Sequence, residues 1–161
     1  IAASLAGIIV IVIPFAFINH FALLTVNGHL VLLAVFVLIW TNDTFAYSIG
    51  SLIGKHPLFL RISPKKTWEG SLGGALCTWI FAYFFPEIFS SLTYNSWEWM
   101  GLAAIIILTG TLGDLIESMF KRELGVKDSG TILPGHGGVL DRFDSILFAI
   151  PFVFIYLYII N

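Results

Sequence analysis

A chain of 161 residues that is 58% hydrophobic and only 11% charged lies far from the roughly 45–50% apolar and about 25% charged usage of soluble domains. That composition excludes a soluble globular protein and indicates an integral membrane protein, for which the placement of charge matters more than the formal net charge of −2. The single cysteine, Cys77, excludes an internal disulfide framework and a multi-cysteine metal site; it lies in the apolar run GALCTWIFAYFF and is assigned no chemistry.

Spanning the hydrocarbon core takes about 20 largely apolar residues in a helix. Five segments meet or approach that length: 1–18, 29–53, 69–86, 98–117 and 143–160. The expected fold is therefore all-α, a polytopic transmembrane helix bundle forming a single domain over residues 1–161, since lipid satisfies no open strand edge. The first segment opens on Ile1 inside an apolar run, which leads us to expect further helices upstream. The connection after it carries His20 and His29, read as solvated interface residues. Between the second and third spans lie Lys55, Arg61, Lys65 and Lys66. The next connection, PEIFSSLTYNSWEW, has no Lys or Arg, and its Tyr94, Trp97 and Trp99 read as an interfacial aromatic belt. The remaining cations, Lys121, Arg122, Lys127 and Arg142, fall between the fourth and fifth spans. Both basic loops thus lie on one side, which the positive-inside rule makes cytoplasmic.

Polar groups inside the spans are the informative exceptions, because an ionisable side chain at membrane depth is costly and faces a cavity or a partner. In LIWTNDTFAYSIG, Asn42 and Asp43 lie about ten residues before the end of their helix, or roughly 15 Å deep; a structural partner and a part in a cavity compete for Asp43. In TGTLGDLIES, Asp114, Glu117 and Ser118 share one helix face, and Gly110 and Gly113 would let a helix or a ligand approach it. The fifth span opens with LDRFD, where Asp141 and Asp144 also share a face. The fourth helix leaves the membrane where the fifth enters, so Asp114 and Asp141 can meet and call for a cation. Hard oxygen ligands suit Mg²⁺, which binds one or two carboxylates together with substrate phosphates. The competing reading is a set of helix-end charges neutralised by Lys121, Arg122 and Arg142.

The stretch between these helices, KDSGTILPGHGG, offers Gly130, Gly135, Gly137 and Gly138, whose N–H groups can approach an anion. In RISPKKTWEG, Pro64 is expected to set a turn, Lys65 and Lys66 to project two point charges, and Thr67 to cap the next helix, with Glu69 and Gly70 in its first turn. An anchor for anionic lipid headgroups is the alternative for this segment.

Ser118, Lys121-Arg122, Lys127-Asp128, Gly130, Pro134, His136-Gly137-Gly138, Asp141-Arg142 and Asp144 together resemble the signature of the phosphatidate cytidylyltransferases, or CDP-diacylglycerol synthases. NDTFAYSIG, GKHPLFLRISPKKTWEG and GTLGDLIES are similar to further blocks of that family, so the resemblance covers most of residues 38–145. It implies transfer of CMP from CTP to phosphatidic acid, with release of pyrophosphate. It also implies Mg²⁺ on Asp114 and Asp141, with Asp144 behind them or as an additional ligand, and a second, monovalent cation beside it. Lys121, Arg122 and His136 are expected at the reacting phosphates, His136 for phosphate binding, proton transfer or loop ordering. Lys65, Lys66, Ser118, Lys127, Asp128, Gly137, Gly138 and Arg142 are expected to bind substrate. Expected partners are CTP, phosphatidic acid, membrane lipids and, from the family, a second copy in a homodimer; no nucleic acid is expected. The location implied is a bacterial plasma membrane with the site facing the cytoplasm.

Two other classes fit parts of the pattern. A CDP-alcohol phosphotransferase also uses several aspartates with Mg²⁺, but its motif ends in Asp-x-x-x-Asp, whereas this chain has DRFD. A cation or proton transporter would explain Asn42, Asp43 and Asp114 as an ion path, but would not need two basic loops and a His-Gly-Gly turn on one face.

Overall fold

The computed structural model describes residues 8–24, 27–126, 129–130, 138 and 140–160. A π-helical turn, Ile8–Val12, runs into α1 (Ile13–Leu24), and α2 (Gly28–Ile53) follows. An antiparallel hairpin of β1 (Pro57–Phe59) and β2 (Ser63–Thr67) leads to α3 (Trp68–Tyr83). A short α4 (Phe85–Ile88), then α5 (Ser96–Glu123) and α6 (Leu140–Ile160), complete the chain. The fold is all-helical and membrane-type, as the composition requires. The hairpin was not anticipated.

Five spans were expected; among the described residues three helices are long and apolar enough to cross a membrane, Gly28–Ile53, Ser96–Glu123 and Phe143–Ile160. The difference has a plain cause in length. α3 ends after 16 residues, about 24 Å at 1.5 Å per residue, short of a core about 30 Å thick. α1 has 12 residues. α5 starts sharply because the Asn95 side chain accepts from the N–H groups of Trp97 and Glu98 while Glu98 accepts from the Asn95 N–H, a reciprocal capping box. Its last turn carries Lys121 and Arg122, the sign that a helix C-terminus favours. The helix therefore runs past residue 117, so that Ser118 to Glu123 are helical rather than loop.

α2 and α3 touch at backbone distance. A Cβ built on Gly74 would lie 2.8 Å from the Ala46 backbone nitrogen, and one on Gly70 would lie 2.5 Å from the Ala46 carbonyl oxygen. This contact carries the polar stretch of α2 past the start of α3. On the other side α6 lies along α5, where a Cβ on Gly113 would meet that of Phe148 at 2.6 Å. Gly113 thus admits a neighbouring helix. The core joins Val35 and Leu38 of α2 to Leu102 and Ile106 of α5 and Ile150 and Val153 of α6, all essentially buried.

Two local expectations change. Trp99 is only 1% exposed and packs against Phe85 and Phe89, with ring centroids 5.0 and 5.9 Å away. It is a core residue, while Trp97, 73% exposed, keeps an outward position. The reason is periodicity: two residues apart on a helix face different ways. Pro64 lies within β2, and the turn falls at residues 60–62; both strands of a two-stranded hairpin are edges, where proline is tolerated.

Gly74→Val should drive a branched side chain into the Ala46 backbone and cost about 1–3 kcal/mol. A fall in the thermal unfolding midpoint in detergent checks this, and an unchanged midpoint would show that α2 and α3 are free to separate.

Candidate active site

The C-terminal half of α2, strand β2, the start of α3 and the middle of α5 enclose a cavity of about 550 Å³, within the roughly 300–1,000 Å³ of small-molecule sites. Asn42, Asp43, Lys65, Lys66, Thr111 and Asp114 are among its lining residues. Lys66 forms an ion pair and hydrogen bond with Asp114 Oδ2. Ser118 donates from Oγ to Asp114 Oδ1 at 3.3 Å, as their shared helix face predicts. Asp43 lines the cavity too and stands within electrostatic reach of Lys66, Asp114 and Asp144. Asn42 beside it is buried, and its Oδ1 has no hydrogen-bond partner.

A second polar group lies where α5 and α6 meet. Lys121 Nζ donates to Asp141 Oδ1 at 2.7 Å and stands 3.4 Å from Glu117 Oε1. Asp141 Oδ2 accepts from the Ser129 N–H and hydroxyl, both at 2.9 Å, and from the Gly138 N–H at 2.7 Å. Burial pushes the Asp141 carboxyl up, but Lys121 and the N–H groups of Ser129 and Gly138 outweigh it and hold the group below the usual carboxylate range. Asp141 therefore gathers a loop rather than meeting Asp114. Because α6 begins at Leu140, Asp141 sits in its first turn facing the loop, and Asp144, about a turn deeper, becomes the neighbour of Asp114 and Glu117. Glu117, absent from the expected site, links the two groups; its position beside Asp114 and Ser118 on one face was the available signal.

Arg122 donates from Nε to the Ile62 carbonyl at 3.5 Å and so reaches the hairpin turn. This contact and the Lys66–Asp114 pair bring the two basic segments to the same end of the bundle. Lys127, Asp128, His136 and Gly137 lie outside the described residues, as does the side chain of Arg142.

The hairpin is fastened at its base. Glu69 Oε2 accepts from the N–H groups of Lys55 and His56, both at 3.2 Å, and Oε1 lies 2.5 Å from His56 Nδ1. Thr67 caps α3 as expected, accepting from the Gly70 N–H at 3.2 Å. The His56 hydrogen bond, with help from backbone N–H groups, holds the Glu69 carboxyl down at about 2.

Among the described residues no group of three or more His, Cys, Asp or Glu side chains is arranged to hold a metal ion. The cavity instead presents hard oxygens in the carboxylates of Asp43 and Asp114. That set fits Mg²⁺ taken up with a phosphate ligand, which needs one or two protein carboxylates, and lacks the nitrogen and sulfur donors of zinc sites.

Carboxylates, lysines and hydroxyls converge on one cavity in a membrane-type bundle. Residues 1–160 match the family described as Cytidylyltransferase family, and the chain belongs to that family. It is 50% identical over 120 residues to a phosphatidate cytidylyltransferase of Staphylococcus epidermidis and, equally, to one of Staphylococcus aureus. A phosphatidate cytidylyltransferase of Staphylococcus haemolyticus is 49% identical over the same length. Each alignment covers 74% of this chain and 46% of the relative, so the match spans about half the length of these curated relatives.

Two outcomes follow from this geometry. Lys121→Met leaves Glu117 and Asp141, 13% and 11% exposed, without their counter-ion, and should cost about 3–5 kcal/mol, read as a lowered unfolding midpoint that Lys121→Arg largely restores. For Glu69 the folded carboxyl titrates below its ordinary 4.5, so its contribution is complete above that pH and is lost as pH falls toward 2. Protection of the Lys55 and His56 amides against hydrogen exchange, with the intrinsic pH dependence of exchange divided out, should fall over that window in the wild type and stay flat in Glu69→Gln.

Proposed function

We propose that this chain carries the catalytic site of a phosphatidate cytidylyltransferase, which transfers CMP from CTP to phosphatidic acid and releases pyrophosphate. The observation that carries the reading is the cavity where Lys65 and Lys66 of the hairpin meet Asp43 and Asp114 of two membrane-length helices. The 50% identity to relatives of that name supports it.

In this reading an oxygen of the lipid phosphate attacks the α-phosphorus of CTP, and the bond from that phosphorus to the oxygen bridging to the β-phosphate breaks. The attacking phosphate is already anionic at neutral pH, so no protein nucleophile is needed. Alignment and cancellation of negative charge are the main tasks. Lys65, which lines the cavity, takes the triphosphate; Lys66 stands on Asp114 in the ligand-free state and shifts toward phosphate on binding. Asp114 and Asp43 would hold Mg²⁺, with Asp144 next to them. Bound there, Mg²⁺ neutralises charge that develops on the phosphate oxygens. Lys121, committed to Glu117 and Asp141, keeps α5 and α6 together and draws Ser129 and Gly138 toward the site.

The two basic segments at one end of the bundle support a cytoplasmic site, and the bacterial relatives support a plasma membrane. The lipid's acyl chains then stay in the bilayer while its headgroup enters the cavity. A monovalent cation and a homodimer belong to the same proposal on the family resemblance alone.

The test incubates full-length protein in detergent with labelled CTP, phosphatidic acid and Mg²⁺. Label should pass into CDP-diacylglycerol, Asp114→Asn should lower kcat by about 100-fold or more, and chelation of divalent metal should abolish turnover. No labelled lipid from the wild type, or full activity in Asp114→Asn, refutes the assignment.

A further inference from the structure

The hairpin between α2 and α3 brings two of the cavity's charges, and it is too small to hold itself. Its strands have three and five residues, and an isolated two-stranded hairpin is marginal at best. Something must fix it. Four contacts tie its two feet together: the Glu69 carboxylate accepts both the Lys55 and His56 N–H groups, His56 Nδ1 lies 2.5 Å from the other Glu69 oxygen, and the Trp68 N–H donates to the His56 carbonyl at 2.9 Å. Three of the four end on Glu69. Gly54 lies in the same knot, since a Cβ there would meet Thr67 Oγ1 at 2.6 Å. At the far end only the 3.5 Å bond from Arg122 to the Ile62 carbonyl is seen among the described residues.

Ser63, Lys65, Lys66 and Thr67 of this hairpin line the cavity, whereas Glu69 does not. We propose that Glu69 is a positioning residue for nucleotide binding: its carboxylate latches the hairpin base to α3 and thereby holds Lys65 and Lys66 where a triphosphate is received. The inference rests on the reading of the cavity as a CTP site. Glutamine keeps one carbonyl oxygen for the two backbone N–H groups and can donate from its NH₂ to His56 Nδ1, so alanine, which removes every partner, is the variant that cuts the latch. Aspartate, one methylene shorter, cannot reach it.

A latch that merely stabilised the fold would alter the amount of active enzyme and lower kcat. A latch that positions the lysines raises the KM for CTP while leaving the KM for phosphatidic acid near its wild-type value. Glu69→Ala should raise the KM for CTP by about tenfold or more, in line with loss of hydrogen bonds to a charged group. In a Lys65→Ala background the same change should raise the KM for CTP less than it does in the wild type, because one of the two lysines it positions is gone. Hydrogen exchange, which needs no turnover, should quicken at the amides of Lys55, His56 and Trp68 in Glu69→Ala.

Unchanged exchange in Glu69→Ala overturns the latch whatever the activity. Faster exchange with an unchanged KM for CTP, or with fully additive effects of Glu69→Ala and Lys65→Ala, overturns the positioning role and leaves a structural one. Absence of turnover by the wild type instead refutes the CTP reading, and the role of Glu69 toward CTP falls with it.

Discussion

A lysine on a short hairpin meets an aspartate two-thirds of the way along a membrane-length helix, and the rest of the site is arranged around that pair. Asp114 lies in α5 among apolar neighbours, where an unpaired carboxylate would be costly. Lys66 supplies the counter-ion, but only if the hairpin bends over the end of the bundle. The ion pair therefore joins three elements in one constraint: α5 carries the acid, β2 carries the base, and α3 fixes where β2 ends. The pair is also about a quarter to a third exposed, so it stays open to exchange partners when an anion or a cation enters.

Two further features keep that constraint satisfied. Backbone contact between Ala46 and the glycines of α3 sets how closely α2 approaches, and hence how Asn42 and Asp43 face the cavity. The Lys121 pair with Asp141 closes α6 against α5 and brings Asp144 beside Asp114. Charge in this bundle is consequently divided by duty. Lys121 is enclosed by two carboxylates and serves the architecture, while Lys65 and Lys66 line the cavity and remain available to a ligand.

Much of this was legible in the sequence for specific physical reasons. The cost of ionisable groups at membrane depth singled out Asn42, Asp43 and Asp114, and all three line the cavity. The i, i+4 spacing of Asp114 and Ser118 gave their hydrogen bond, and Thr67 was readable as a cap. What failed depended on tertiary register. Whether Asp141 or Asp144 meets Asp114 turns on where α6 begins, and a helix start inside a glycine-rich stretch has no sharp local signal. Trp99 and Trp97 look alike in sequence, and only the helix phase sends one into the core. The hairpin was hidden because its strands have only three and five residues, and it is fastened by Glu69 and Asp114, which lie outside both strands.

The division of duty among the charges also bears on why a membrane enzyme of this kind would place its cations on a hairpin. A lysine fixed within a helix could neutralise Asp114 permanently, and the pair would then resist a nucleotide or a metal equally. In the function proposed above, a lysine on a two-stranded arm would leave the carboxylate when phosphate offers a better partner, and the vacated carboxylate would become a ligand for the cation that accompanies that phosphate. Such an arm must still return to one place between turnovers. The carboxylate of Glu69, outside the cavity and bonded to the arm's own backbone, meets that demand without adding another charge to the site itself.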